Sequence, residues 1–316
     1  MRITLPGTDL SLFPLFLGGN VFGWSADEPA SFAVLDAYVA AGGNAIDSAD
    51  SYAAWLGNGG GESETVLGRW MAARGNRDEL VIATKVGKRP GFDNLRPETI
   101  RASVEGSLQR LQTDRIDLYY AHQDHPDDDL AAALETFDAL VGEGKVRHLA
   151  ASNYTGARLV EALDLQAANG WAPYAALQPH YNLVERAEYE TEYAALCVER
   201  GIGTLPYFGL ARGYLTGKYR AGGDAVESVR VGGAAAYADE RGENVIDALE
   251  VIATEHGVRP AAVALAWLRT RPAVVAPIAS ARTPEQLADL LPMATLDLSA
   301  DDLALLEQVS APAATD

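Results

Sequence analysis

The sequence predicts an α/β protein built as a (β/α)8 TIM barrel with an N-terminal β-hairpin, on three observations. Eight short apolar runs recur along the chain, at residues 15–18, 45–47, 80–84, 116–121, 148–151, 175–178, 203–207 and 274–278. Helix-like amphipathic stretches lie between them, and strands alternating with helices imply parallel βαβ units. The chain has 316 residues, a length that one closed barrel fills as a single domain over residues 1–316.

Taken in order, the elements support that fold. Residues 2–13 carry Pro6-Gly7 between two short apolar runs, the mark of a hairpin, which in a barrel plugs the N-terminal mouth. The first barrel strand leads into Leu17-Gly18-Gly19-Asn20-Val21-Phe22-Gly23. That turn lacks the Gly-x-Gly-x-x-Gly spacing that an open doubly wound sheet would place there. Residues 62–73 read as a helix, and Pro97 stands near the start of a second over 96–111. Residues 130–141 and 189–200 place apolar side chains at three- and four-residue spacing. Residues 212–243 are glycine-rich and weakly patterned, and are expected to form a long loop.

Composition narrows the class of function. There are 44 acidic and 25 basic residues, a net charge of -19. Such a surface repels phosphate backbones and anionic lipid, so neither nucleic acid nor membrane is an expected partner. No run approaches the roughly 18 apolar residues of a membrane helix, and the N-terminus does not read as a secretory leader. The lone Cys197 cannot close an internal disulfide or build a cysteine-based metal site. A cytoplasmic location is expected.

In a parallel barrel, reactive groups sit where strands end. Just past the second run stands Asp47-Ser48-Ala49-Asp50-Ser51-Tyr52; the third ends in Thr84-Lys85 and the fourth in Ala121-His122. The fifth leads to Ser152-Asn153 and the sixth ends in Gln178. Five successive strand ends therefore aim polar groups into one mouth. A phenol titrates near pH 10, and a nearby ammonium lowers that value, making Tyr52 a workable proton donor to a carbonyl oxygen. Asp47 would hold Lys85 charged, and His122 would hold the oxygen. The set lacks a hydride source, which a cofactor would supply. Each residue also has a plainer reading: Asp47 as a cap or ion-pair partner, Tyr52 as core or rim, Lys85 as a structural salt bridge or a Schiff-base lysine, and His122 as a supporting histidine.

The order of these segments resembles the aldo-keto reductases. Gly43-Asn44-Ala45-Ile46-Asp47-Ser48-Ala49-Asp50-Ser51-Tyr52 looks like that family's first signature. Ala83-Thr84-Lys85 and Asp117-Leu118-Tyr119-Tyr120-Ala121-His122 resemble its lysine and histidine segments. Ala151-Ser152-Asn153-Tyr154, Leu177-Gln178-Pro179-His180-Tyr181-Asn182 and Leu215-Thr216-Gly217-Lys218-Tyr219 resemble three cofactor segments. Within the family the chain is most similar to the bacterial, potassium-channel β-subunit-like branch.

The resemblance implies a catalytic four of Asp47, Tyr52, Lys85 and His122, with NADPH as cofactor and no metal. Ser152, Asn153 and Gln178 would hydrogen-bond the nicotinamide amide, and Tyr207 would stack on its ring. Leu210, Gly213, Lys218 and Arg230 would line the pyrophosphate; Arg282, Gln286 and Asp289 would reach the adenosine end. Gly19, Asn20, Val21, Phe208 and Ser280 fall on the same cofactor path. There are departures. Phe208-Gly209 stands where the family has Ser-Pro after its stacking aromatic, Ser280 replaces a glycine, and Asp289-Leu290 replaces Glu-Asn.

On the substrate side, Phe22, Trp24, Trp55 and His125, with Tyr52 and Tyr207, are expected to wall an aromatic pocket. The region after the last strand is short beside the closing loops of some members of that family, so the resemblance implies an open pocket for small aldehydes or ketones. Two other functions remain: an NADPH-holding regulatory or redox-sensing protein with slow turnover, and a lyase with Lys85 as a Schiff base. The sequence leaves the oligomeric state open.

Overall fold

The computed structural model describes residues 2–219 and 231–312. It opens with an antiparallel hairpin, β1 (Ile3–Thr4) and β2 (Ser11–Leu12), with Ile3 opposite Leu12. The turn between them passes through Gly7 at φ 69°, a left-handed conformation that glycine adopts without a Cβ penalty. Leu5, Leu10 and Leu12 are buried, clustered with Phe16, Ala45, Val81, Leu118 and Ala176 from the barrel strands. The hairpin therefore packs its leucines against the inner face of the main sheet.

That sheet has eight parallel strands: β3 (Phe16–Gly18), β4 (Ala45–Asp47), β5 (Val81–Val86), β6 (Ile116–Ala121), β7 (Val146–Ser152), β8 (Tyr174–Gln178), β9 (Gly203–Thr204) and β10 (Ile278–Ala279). They pair in chain order from β3 to β9, and β10 lies beside β3 with Ile278 opposite Phe16. On the other side, Val274 bridges Thr204 of β9. The Thr204 amide donates to the Ala273 carbonyl and the Val275 amide to that of Thr204. One segment thus links both ends of the curled sheet, consistent with a (β/α)8 barrel. Every residue of β5 and β6 is buried, as expected of parallel strands covered on both faces.

Local chemistry sets the helix starts. The Asp27 side chain accepts from the Ala30 amide at the head of Glu28–Ala40, and Asp129 and Thr155 do the same for Leu130–Gly142 and Gly156–Asn169. Pro97 opens Pro97–Leu111 at the position where its missing N–H is harmless. Glu62–Arg74 crosses that helix so closely that a methyl group on Gly68 would collide with the Arg110 carbonyl.

Three expectations need correction. The segment expected as a loop over 212–243 contains short helical pieces, Ala211–Thr216 and Val231–Ala235, and the helix Glu240–His256 begins inside it. The Asp239 carboxylate accepts from the Gly242 amide there, a cap masked in the sequence by the surrounding glycines. The run 203–207 keeps only two strand residues, because Pro206 has no N–H for a ladder. The run 274–278 keeps only its last residue in β10, which starts directly after Pro277.

Candidate active site

Asp47 ends β4, Lys85 stands one residue from the end of β5, and His122 follows β6. Ser152 ends β7, Asn153 follows it, and Gln178 ends β8. Because the strands are parallel, all six arrive at one face of the sheet, and Tyr52 reaches it from the turn after β4.

Lys85 is fully buried and donates three hydrogen bonds, the full capacity of an ammonium. Its Nζ lies 2.6 Å from Asp47 Oδ2, 2.7 Å from the Ser48 carbonyl and 2.9 Å from Tyr52 Oη. The Tyr52 hydroxyl donates to Asp47 Oδ2 at 3.0 Å. Gln178 Nε2 donates to Asp47 Oδ1 at 2.9 Å, so both oxygens of the carboxylate are engaged. Four side chains from three strand ends and one turn thus share one hydrogen-bonded knot.

Burial pushes the Lys85 ammonium below its usual pKa, opposed by the Asp47 charge. The phenol of Tyr52 is pushed well above its usual value by burial first and by the Asp47 charge second. The sequence-based expectation was a phenol lowered by Lys85. In the folded site desolvation and the carboxylate outweigh the ammonium, and the resting phenol stays protonated. His122 is pushed well below its usual value by burial and then by the Lys85 and Lys88 charges, so it is neutral near pH 7. Its ring stands edge-on to Tyr52 at 6.3 Å, and its Nδ1 lies 3.4 Å from Ser51 Oγ.

A second set is built from the later strands. Asn153 Nδ2 donates to the His122 carbonyl at 2.7 Å and to Ser152 Oγ at 3.0 Å, while Ser152 Oγ donates to the Gln178 carbonyl at 2.9 Å. Tyr207 Oη donates to Asn153 Oδ1 at 3.1 Å, and His180 stacks on the Tyr207 ring at 5.3 Å with 14° between planes. Asn153, Phe208, Ala211 and Arg212 all have φ between 47° and 59°. Non-glycine residues in that region are strained, and such strain gathers at functional segments.

These groups border one cleft of about 1250 Å³. It runs past Asn20, Val21, Trp24, Asp47, Tyr52, Trp55 and His122, and past Ser152, Asn153, Gln178, Tyr207, Phe208 and Leu210. It continues past Gly213 and Lys218 to Ser280, Arg282, Gln286 and Asp289. Ser280 Oγ donates to Asn20 Oδ1 at 2.6 Å, above a bare Gly18 whose Cβ would strike that hydroxyl. Gln286 Oε1 accepts from the Arg282 amide at 3.0 Å, and Leu290, which stands in place of the family's Asn, lines the cleft.

Other candidates stand elsewhere. Phe22 is fully buried in the core, folded inward after the short turn Gly19–Val21, and Gly19 is buried within that turn. His125 Nε2 lies 2.7 Å from the Gly87 carbonyl, an acceptor only, so that nitrogen carries hydrogen and is spent on a loop contact. Arg230 lies outside the described residues. Sequence reasoning missed Lys88 and Arg259, which both line the cleft. Lys88 lies on the loop two residues past the end of β5, and Arg259 directly precedes the helix Pro260–Arg269. It also missed the nature of Asp50, fully buried with neither carboxyl oxygen hydrogen-bonded.

Comparison with known proteins places this geometry. A profile of the Aldo/keto reductase family matches residues 14–311. The chain belongs to that family of oxidoreductases acting on small carbonyl compounds. Protein tas of Escherichia coli (strain K12) is 33% identical, the match covering 96% of each chain. Norsolorinic acid reductase A of Aspergillus parasiticus is 30% identical over 96% of this chain and 79% of its own. An aryl-alcohol dehydrogenase of Pestalotiopsis microspora is 28% identical over 97% of this chain and 81% of its own. Among the described residues no helix is long and apolar enough to cross a membrane.

Proposed function

We propose that the protein reduces aldehydes or ketones to alcohols with NADPH, with Tyr52 as the proton donor. The observation that carries this reading is the knot of Tyr52, Lys85 and Asp47 at the bottom of the cleft, with a phenol that keeps its proton. The cleft is larger than a site for one small ligand, which suits a cofactor together with a substrate.

The lining fits a nicotinamide dinucleotide. Ser152, Asn153 and Gln178 offer donors and acceptors to a carboxamide. Tyr207 offers a ring backed by His180. Lys218 and Arg282 make no ion pair with a carboxylate among the described residues, in a chain of net charge -19. Cations left unpaired in a cleft suit phosphate, and Arg282 is the candidate for the 2′-phosphate that separates NADPH from NADH. When bound, the cofactor supplies the hydride.

The chain's own groups do the rest. A neutral His122 can donate to the substrate carbonyl oxygen and orient it. Tyr52 transfers its proton to that oxygen as negative charge develops there. Lys85, 2.9 Å away, stabilises the phenolate left behind. Asp47 keeps Lys85 charged and fixed, and Gln178 fixes Asp47.

The test is aldehyde-dependent oxidation of NADPH by the wild type and by Tyr52→Phe. Positioned acid catalysis is worth about 10²–10⁴-fold, so the variant should lose at least about a hundredfold in kcat with cofactor affinity kept. Wild-type turnover by Tyr52→Phe would end the assignment. Tight NADPH binding without turnover on any carbonyl compound would select instead a regulatory or redox-sensing protein of the potassium-channel β-subunit-like branch.

A further inference from the structure

Of the chain's four lysines, Lys85 and Lys145 sit in ion pairs, whereas Lys88 and Lys218 have no carboxylate partner among the described residues, and both line the cleft. Lys218 lies over the Tyr219 ring and is the cation offered above, with Arg282, to phosphate. Lys88 stands apart from it. It follows β5 on the loop beside the knot, and its charge is felt at His122. Among the described residues it has no hydrogen bond and no carboxylate partner. The chain has 44 acidic residues for 25 basic ones. Acidic partners for a basic side chain are therefore plentiful, and a cation left alone at a ligand cleft calls for an anion from outside.

The same cleft also has an apolar stretch of lining. Trp24 and Trp55 meet edge to face, with centroids 5.1 Å apart and planes at 78°, and both line the cleft. Trp55 remains 53% exposed and the adjoining Leu56 51% exposed. Large apolar side chains held open to water beside a cleft mark a surface that a ligand covers. The indole ring prefers a flat, aromatic partner in offset or edge contact.

Three requirements therefore fall on one substrate. Its carbonyl oxygen reaches Tyr52 and His122, its flat apolar body lies against Trp24 and Trp55, and an anionic group reaches the flexible arm of Lys88. We propose that Lys88 is a substrate-binding residue that selects aromatic aldehydes and ketones bearing a negatively charged group, a carboxylate or an ionised phenol, on the ring. This rests on the carbonyl-reductase reading, which fixes where the oxygen sits. Lys88 contributes to binding in both ground and transition states, so its effect falls on KM more than on kcat.

The experiment compares 4-carboxybenzaldehyde with its uncharged methyl ester in steady-state kinetics, using wild type, Lys88→Gln and Lys88→Arg. A partly exposed ion pair is worth up to about 1 kcal/mol, or about fivefold. The wild type should show a KM about fivefold lower for the acid than for the ester, and raised salt should erode that advantage. Lys88→Gln should bring the ratio to about one, and Lys88→Arg should restore it. Replacing 4-carboxybenzaldehyde by 4-hydroxybenzaldehyde above its phenol pKa separates the two anions: a preference for only one of them names it. Equal KM values for acid and ester in the wild type, or a preference that survives Lys88→Gln, would overturn the anion site while leaving the reductase intact. If neither aldehyde nor any other carbonyl compound is reduced, the reductase reading itself fails first.

Discussion

The two ends of the cleft are built on opposite plans. At the floor, Asp47, Lys85 and Gln178 are buried and each polar group of the Asp47–Lys85 pair is engaged. At the far end, Arg259 and Asp289 pair at 3.5 Å with side chains 72% and 51% exposed, and Gln286 turns to a backbone amide. The floor is a closed set in which each group needs the others, because a buried charge without its partner is costly. The far end is a rim whose members have water as an alternative. Two of the three departures from the family's pattern, Ser280 and Leu290, line the cleft away from the floor, whereas Asp47, Tyr52, Lys85 and His122 keep the family's residue types.

The contrast is breakable by substitution. Asp47→Ala leaves the Lys85 ammonium buried and unpaired, and removing one member of such a pair costs about 3–5 kcal/mol. A urea midpoint within about 1 kcal/mol of wild type would show that the knot is not the closed set described. A second effect of a few kcal/mol belongs to Asp50, beside the knot. Burial, and then the Glu64 charge, push its carboxyl up to about 8. The folded chain then keeps a proton that the unfolded chain has lost, so stability falls as pH climbs from about 4 to about 8 and levels off beyond. Asp50→Asn should flatten that slope in urea titrations at pH 5 and pH 8; an unchanged slope would place the titration elsewhere.

Smaller effects are expected at the rim. Arg282→Ala should raise the KM for NADPH about tenfold, the scale of one charge-assisted contact, and leave that for NADH nearly unchanged. An equal rise for both would remove Arg282 from any 2′-phosphate contact. Smallest of all, Ser280→Gly removes one hydrogen bond to Asn20, worth about 1 kcal/mol at most. Cofactor affinity, read by fluorescence titration, should then move by less than about fivefold.

The same division governs what the sequence disclosed. Strand ends were readable because apolar runs mark the strands and parallel pairing sends their ends to one face; Asp47, Lys85, Ser152 and Gln178 stand where that logic put them. Loops obeyed no such period. Phe22 and Trp24 looked alike in the sequence, yet one short turn buries the first and leaves the second in the cleft. His125 was legible as a residue but not as a partner of Gly87, because the two meet only when β5 and β6 lie side by side. The state of Tyr52 was misread because desolvation has no local signature: charge signs are visible in a sequence, and depth is not.

The bond between Asn20 and Ser280 joins residues 260 positions apart, at the seam where β3 meets β10. Every other pairing in the sheet closes a far shorter stretch of chain, so this seam carries the largest loop-closure entropy in the sheet. A ligand held by groups on both sides of that seam is a clasp on the ring itself. Binding there stabilises the folded chain by holding together the joint whose closure costs the most chain entropy.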